Sequence, residues 1–146
     1  AGVITPDLIP DEAGAWLPAA REAGVATVFL VAPSSTDARL ASTAAACRGV
    51  VYAASTMGVT GARATVGPTA RELVRRTRAV TDLPVGVGLG VSTGAQAAEV
   101  ASFADGVIVG SALVRTVLEA TDPASGLAAL AALTRELAAG VAASPR

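Results

Sequence analysis

Val85-Gly86-Val87-Gly88-Leu89-Gly90-Val91 and Gly106-Val107-Ile108-Val109-Gly110-Ser111 are two short apolar runs that each end in glycine. Runs of this length, rich in β-branched residues and apolar on both faces, read as buried parallel strands. Glycine beyond the C-terminal end of such a strand lets an anion approach bare backbone. The loops after the last two strands of a (β/α)8 barrel, with the N-terminus of a short following helix, commonly form a phosphate cradle in this way. Ser111-Ala112-Leu113-Val114-Arg115 has the composition of that helix start. Any one of these glycines alone reads more readily as a turn or a close packing contact. Two in sequential units point toward phosphate.

The same alternation extends outward through the chain. Strands are expected at about 2–5, 27–32, 50–54, 85–89 and 106–109, and helices at about 11–23, 37–48, 69–80 and 95–103, with a terminal helical stretch at about 127–142. Pro10 suits a first helical position, with Asp11 and Glu12 following where carboxylates favour the positive end of the helix dipole. Gly24 and Gly49 fall where helices stop, and Thr93 with Gln96 matches a capping box. Pro18 should kink or split the first helix. No linker interrupts the series, so residues 1–146 are expected to form a single α/β domain.

Five β/α units with right-handed crossovers fit either an open doubly wound sheet or part of a closed barrel. A whole (β/α)8 barrel takes about 250 residues, so this chain would be its C-terminal half or slightly more. A dinucleotide fold should show Gly-x-Gly-x-x-Gly after its first strand with an acidic residue about 20 positions on. Neither is present, and Gly86-Val87-Gly88-Leu89-Gly90 has the wrong spacing and lies within a strand.

Composition limits the chemistry. The sequence contains no histidine and no lysine, and its eleven basic side chains are all arginine. Imidazole and Schiff-base mechanisms are thereby excluded, leaving carboxylates, Tyr52, Cys47 or water for proton transfer. A net charge of −1 gives no global attraction to nucleic acid or to an anionic membrane. Unbroken apolar stretches fall short of the ~18 residues of a membrane span, and neither an export signal nor a possible internal disulfide is seen. A soluble, cytoplasmic chain is expected. Cys47 reads as a small buried hydrophobe, with no second soft ligand for a metal. Arg71, Arg75, Arg76 and Arg78 around Glu72 read as a solvated helix face rather than a nucleic-acid patch, and Trp16 as packing or a partner contact.

Five motifs occur in order: Thr5-Pro6-Asp7-Leu8-Ile9-Pro10, Phe29-Leu30-Val31-Ala32-Pro33, Ser55-Thr56-Met57-Gly58-Val59-Thr60-Gly61-Ala62-Arg63, Gly86-Val87-Gly88-Leu89-Gly90-Val91-Ser92 and Asp105-Gly106-Val107-Ile108-Val109-Gly110-Ser111-Ala112. Together they resemble the C-terminal half of the tryptophan synthase α subunit, over about residues 2 to 117. The Gly-Val-Thr-Gly-Ala-Arg loop beside a Tyr-containing strand is the most specific element. The resemblance implies a TIM-type (β/α)8 barrel, present here as its C-terminal portion, strands four to eight. It implies a carbon–carbon lyase of tryptophan biosynthesis, cleaving indole-3-glycerol phosphate to indole and glyceraldehyde 3-phosphate by a retro-aldol reaction. It further implies a complex of two α and two β subunits, with pyridoxal phosphate held by the β subunit and no cofactor in this chain.

Carried over by position, the resemblance assigns the substrate phosphate to backbone N–H groups of Gly61, Gly90, Gly110 and Ser111, with the Ser111 hydroxyl as an extra donor. Thr60 matches a threonine of the mobile active-site loop, and Tyr52 a tyrosine lining the site. Leu89 stands where many relatives have phenylalanine against the indole, and Leu30 is a further pocket candidate. Asp7 matches an aspartate near the β-subunit interface, its alternative being an Asx-turn residue. Arg63 either braces the closed loop or is solvated.

The family's general acid/base pair, a glutamate on the second strand and an aspartate on the following loop, would lie N-terminal to Ala1. Asp7, Asp105 and Glu119 are not placed by any motif at the reacting atoms. The chain therefore reads as a fragment of an enzyme without its catalytic pair. A non-catalytic half-barrel serving phosphate binding or assembly is the alternative. A related phosphate barrel, such as a ribulose-phosphate epimerase or a phosphoribosyl isomerase, should lack the Gly58-Val59-Thr60-Gly61 and Thr5-Pro6-Asp7-Leu8 motifs.

Overall fold

The computed structural model describes residues 1–54, 68–88 and 90–144. Strand β1 (Gly2–Ile4) is followed by a 3-10 turn (Pro10–Glu12), α1 (Trp16–Glu22), β2 (Ala26–Val28), β3 (Leu30–Val31), α2 (Asp37–Ala46) and β4 (Val51–Ala54). Then come α3 (Pro68–Arg78), β5 (Val85–Gly88), α4 (Gly94–Ala101), β6 (Gly106–Ile108), α5 (Ser111–Leu118) and α6 (Pro123–Ala143). All strand pairs are parallel, β1 with β2 and then β3-β4-β5-β6 in order.

β2 and β3 are the two halves of the strand expected at 27–32, divided at Phe29. The Phe29 N–H donates to the Cys47 Sγ at 3.3 Å, while its carbonyl accepts from the Tyr52 N–H at 3.2 Å. The chain thus pairs with β1 before Phe29 and with β4 after it. Cys47 is buried as expected, and burial raises its thiol pKa above the ordinary value.

Strand side chains alternate between two faces. Phe29, Val31, Val51, Ala53, Val85 and Val87 are buried in one core with Leu40, Leu73, Val74, Ala97 and Val100 from the helices. Full burial of each large side chain is worth about 1.5–3 kcal/mol, so this face holds the sheet to its helices. On the other face the register aligns Leu30, Tyr52, Gly86 and Gly106 in one row and Ala54, Gly88 and Ile108 in the next.

Local boundaries differ from expectation where a cap outweighs periodicity. The helix expected from residue 11 divides upstream of Pro18, which becomes the third residue of α1. Backbone N–H groups in a first helical turn have no intrahelical acceptor to lose, so proline is accommodated there. The last helix starts at Pro123 rather than near 127, because Asp122 accepts from the Ala124 and Ser125 N–H groups in a capping box. The Thr93–Gln96 capping box forms as expected.

Although no unbroken apolar run is long, α6 has 21 residues and a mean hydropathy of 1.4 in its most apolar window, enough by length and composition to cross a membrane. Alanine supplies much of that figure, and Arg135 and Glu136 interrupt it. It packs along α4 and α5 as an outer helix, burying Gly126 and Leu137.

Candidate functional site

The C-terminal ends of the parallel strands carry the candidate residues. β5 and β6 pair through Gly88 and Ile108, so Gly90 and Gly110 each stand two residues past that last pair, on neighbouring strand ends. Gly90 has φ +83°, the left-handed region that favours glycine. Gly110 is the N-cap of α5, and a Cβ added there would meet nothing within 4 Å.

The two helix N-termini beside this lip differ. At α4 most donors are engaged: Ser92 and Thr93 N–H donate to Gln96 Oε1 at 2.8 and 3.3 Å, Gly94 N–H donates to Glu136 Oε1 at 2.7 Å and Gln96 N–H to Thr93 Oγ1 at 3.3 Å. At α5 no side chain caps the helix, and among the described residues the Ser111 and Ala112 N–H groups have no acceptor. Free N–H groups at the positive end of a helix dipole suit an anion. Among the described residues α5 therefore leaves both the Ser111 and the Ala112 N–H open, where α4 leaves that of Ala95 alone.

Leu30 and Tyr52 are directly paired on the face opposite the buried core. A Cβ on Gly88 would come within 2.8 Å of Tyr52 Cε2 and Cζ, and one on Gly86 within 3.0 Å of Ile108 Cδ1. The phenol ring and the Ile108 side chain thus lie across a strip of β5 that has no side chains of its own. For Gly86 and Gly88 the close-packing reading holds. Desolvation raises the Tyr52 pKa, keeping the phenol neutral.

Thr60, Gly61, Arg63 and Leu89 lie outside the described residues. Asp7 is exposed in the turn after β1. Asp105 precedes β6, where its Oδ2 accepts from the Val85 N–H at 2.9 Å and its Oδ1 pairs with Arg78 at 2.8 Å. That is the end of the sheet opposite Gly90 and Gly110. Glu119 is the C-cap of α5, 3.9 Å from Arg115.

The α3 arginines are bound up with neighbours. Arg75 pairs with Glu72 as expected of i,i+3 residues, lowering the glutamate pKa. Arg76, expected beside Glu72, turns instead to Asp37 at 2.7 Å and to the carbonyls of Pro33 and Ser35. Arg71 lies over the Phe103 ring at 4.4 Å, and Arg78 holds Asp105. These contacts tie α3 to flanking elements. The Glu136 contact with α4 is not legible from local pattern, since the carboxylate comes from a helix 42 residues further along the chain.

Parallel strands alternating with helices, with glycines gathered at the C-terminal strand ends, fit the C-terminal portion of a TIM-type (β/α)8 barrel. The chain belongs to the tryptophan synthase alpha chain family, whose profile matches residues 1–142. It is 64% identical over 141 residues to the tryptophan synthase alpha chain of Streptomyces avermitilis, covering 97% of this chain and 51% of that one. It is 64% identical over 140 residues to that of Mycobacterium tuberculosis, covering 96% and 50%. A crystal structure of tryptophan synthase from M. tuberculosis superposes with a TM-score of 0.82 at 57% identity, over 96% of this chain and 50% of that chain. A mutant tryptophan synthase alpha-subunit from Pyrococcus furiosus does so at 0.77 and 32%, over 94% and 55%. The chain spans about half the length of the curated relatives it matches.

Proposed function

We propose that this chain supplies the phosphate anchor, the Thr60 loop and part of the indole pocket of a tryptophan synthase α-type lyase. The reaction is the retro-aldol cleavage of indole-3-glycerol phosphate to indole and glyceraldehyde 3-phosphate, a cytoplasmic step of tryptophan biosynthesis. The observation that carries this reading is the uncapped N-terminus of α5 beside Gly90. Backbone N–H groups of Gly61, Gly90, Gly110 and Ser111, with the Ser111 hydroxyl, hold the phosphate and fix the substrate's far end. Leu30, Tyr52 and Leu89 border the indole, and Thr60 belongs to the loop that closes over the substrate. Asp7 faces a β subunit, which receives indole and holds pyridoxal phosphate. This chain has no lysine for a Schiff base.

Cleaving the carbon–carbon bond requires protonation at indole C3 and removal of the glycerol hydroxyl proton, and positioned acid–base groups typically contribute ~10²–10⁴ each. Asp105 lies at the opposite end of the sheet, committed to Arg78 and Val85, and residues 55–67 include no carboxylate. The chain therefore anchors and orients substrate, while the proton-transfer pair comes from the part of the relatives' length that it does not span. By itself it acts as a phosphate-binding module.

Two measurements test this. Calorimetric titration with glycerol 3-phosphate should show Gly110→Val abolishing binding and Ser111→Ala costing only ~1 kcal/mol; equal affinity for wild type and Gly110→Val removes the site assignment. In turnover assays residues 1–146 alone should give no indole, while co-expression with the N-terminal half of a relative restores it. Comparable turnover by the chain alone would return Asp7, Asp105 and Tyr52 to consideration as catalytic groups.

A further inference from the structure

We propose that Glu136, on the outer helix α6, is a positioning residue for the Gly90 turn, so that α6 sets the geometry of the phosphate lip. This rests on the reading of Gly90 as a phosphate donor. Among the described residues, the hydrogen bonds made by residues 90–94 stay within that segment and α4 with one exception. Ser92 and Thr93 use Gln96, and the Gln96 N–H returns to Thr93 Oγ1. The exception is the Gly94 N–H, which donates to Glu136 Oε1 at 2.7 Å. An ionised acceptor strengthens such a bond, and its charge suits the positive end of α4.

The same residue is gripped from a second side. A Cβ on Gly94 would lie 2.7 Å from the Glu136 carbonyl oxygen, and one on Gly140 would lie 2.7 Å from the Gly94 carbonyl carbon. Glu136 and Gly140 are i,i+4 neighbours on one face of α6. Two backbones touch here without side chains between them, so a displacement of α6 passes directly to the first residue of α4, four positions beyond Gly90. Without the carboxylate, that turn has no hydrogen bond to an outside element among the described residues.

The test uses the full chain, with glycerol 3-phosphate as the probe in calorimetric titrations and the emission of Trp16, the only tryptophan, as a report on packing at α1, away from the lip. Glu136→Ala should weaken glycerol 3-phosphate about tenfold, the scale of one charge-assisted hydrogen bond, and leave Trp16 emission unchanged. Glu136→Gln, which keeps the acceptor oxygen at the same reach but loses the charge, should fall between wild type and the alanine variant, weakened about threefold. Glu136→Asp, which keeps the charge and shortens the reach, should behave like alanine and serves if the alanine variant does not fold. Wild-type phosphate affinity in both the alanine and aspartate variants, with Gly110→Val losing it, overturns the inference and leaves the site assignment standing. A shift of Trp16 emission in step with the loss of phosphate binding overturns it as well, because the effect is then general. If Gly110→Val also binds normally, the site assignment fails and takes this inference with it.

Discussion

Tyr52 and Gly88 form the tightest dependence between single residues on the candidate site's face. The phenol occupies the space a side chain at position 88 would take, so Gly88→Ala should cost ~1–3 kcal/mol through overpacking, measured by denaturant unfolding. Tyr52 is the only tyrosine, which makes its ionisation directly visible in phenolate absorbance. Its titration should lie above the ordinary tyrosine value of 10.0 and fall back toward it in Gly88→Ala, as the ring is driven out toward solvent. A raised folded pKa means that the associated stability is present below the unfolded value and is lost as pH rises through the folded one. A wild-type midpoint at or below 10 would contradict the burial argument. These roles were only partly legible in sequence. The strand-end glycines looked alike, yet Gly86 and Gly88 serve packing while Gly90 and Gly110 form the lip. What separates them is the reach of Ile108 and Tyr52 from neighbouring strands, which no local pattern records.

Capping decides where the elements begin. Asp122 is held below the usual carboxylate range by hydrogen bonds from Ser125 and Ala124. A depressed folded pKa stabilises the start of α6 above the unfolded carboxylate pKa, and that contribution disappears as pH falls through the folded value. Far-ultraviolet circular dichroism followed down in pH should show helix loss that is shallower in Asp122→Asn, whose amide oxygen still caps but does not titrate. An identical acid transition in both proteins would remove the cap from the explanation. Strands, most helices and the Thr93–Gln96 box were readable from periodicity and local chemistry. The division at Phe29 was not, because its cause is the Cys47 thiol 18 residues away. The start of α6 was readable in principle from Asp122-Pro123, a cap followed by proline at the first helical position.

At the scale of the whole molecule, β1 and β6 each have one paired neighbour among the described residues. Val3 and Ile4 on the first edge are more than 40% exposed, and Val114, Val117, Leu118 and Leu127 present apolar surface along α5 and the start of α6. Unpaired parallel edges beside exposed apolar surface favour association. Sedimentation of residues 1–146 should therefore show oligomers, or a loosely packed species with weak near-ultraviolet dichroism; a rigid monodisperse monomer would mean that the sheet is self-sufficient as it stands. The parallel register also orders events in time. Each strand pair closes only after a crossover, and the positions joined across β5 and β6 are about 20 residues apart while those across β4 and β5 are about 34 apart, a difference of ~0.5 kcal/mol in loop-closure entropy. Refolding is thus limited by long-range closure, and the shortest of these closures is the one that sets Gly90 beside Gly110.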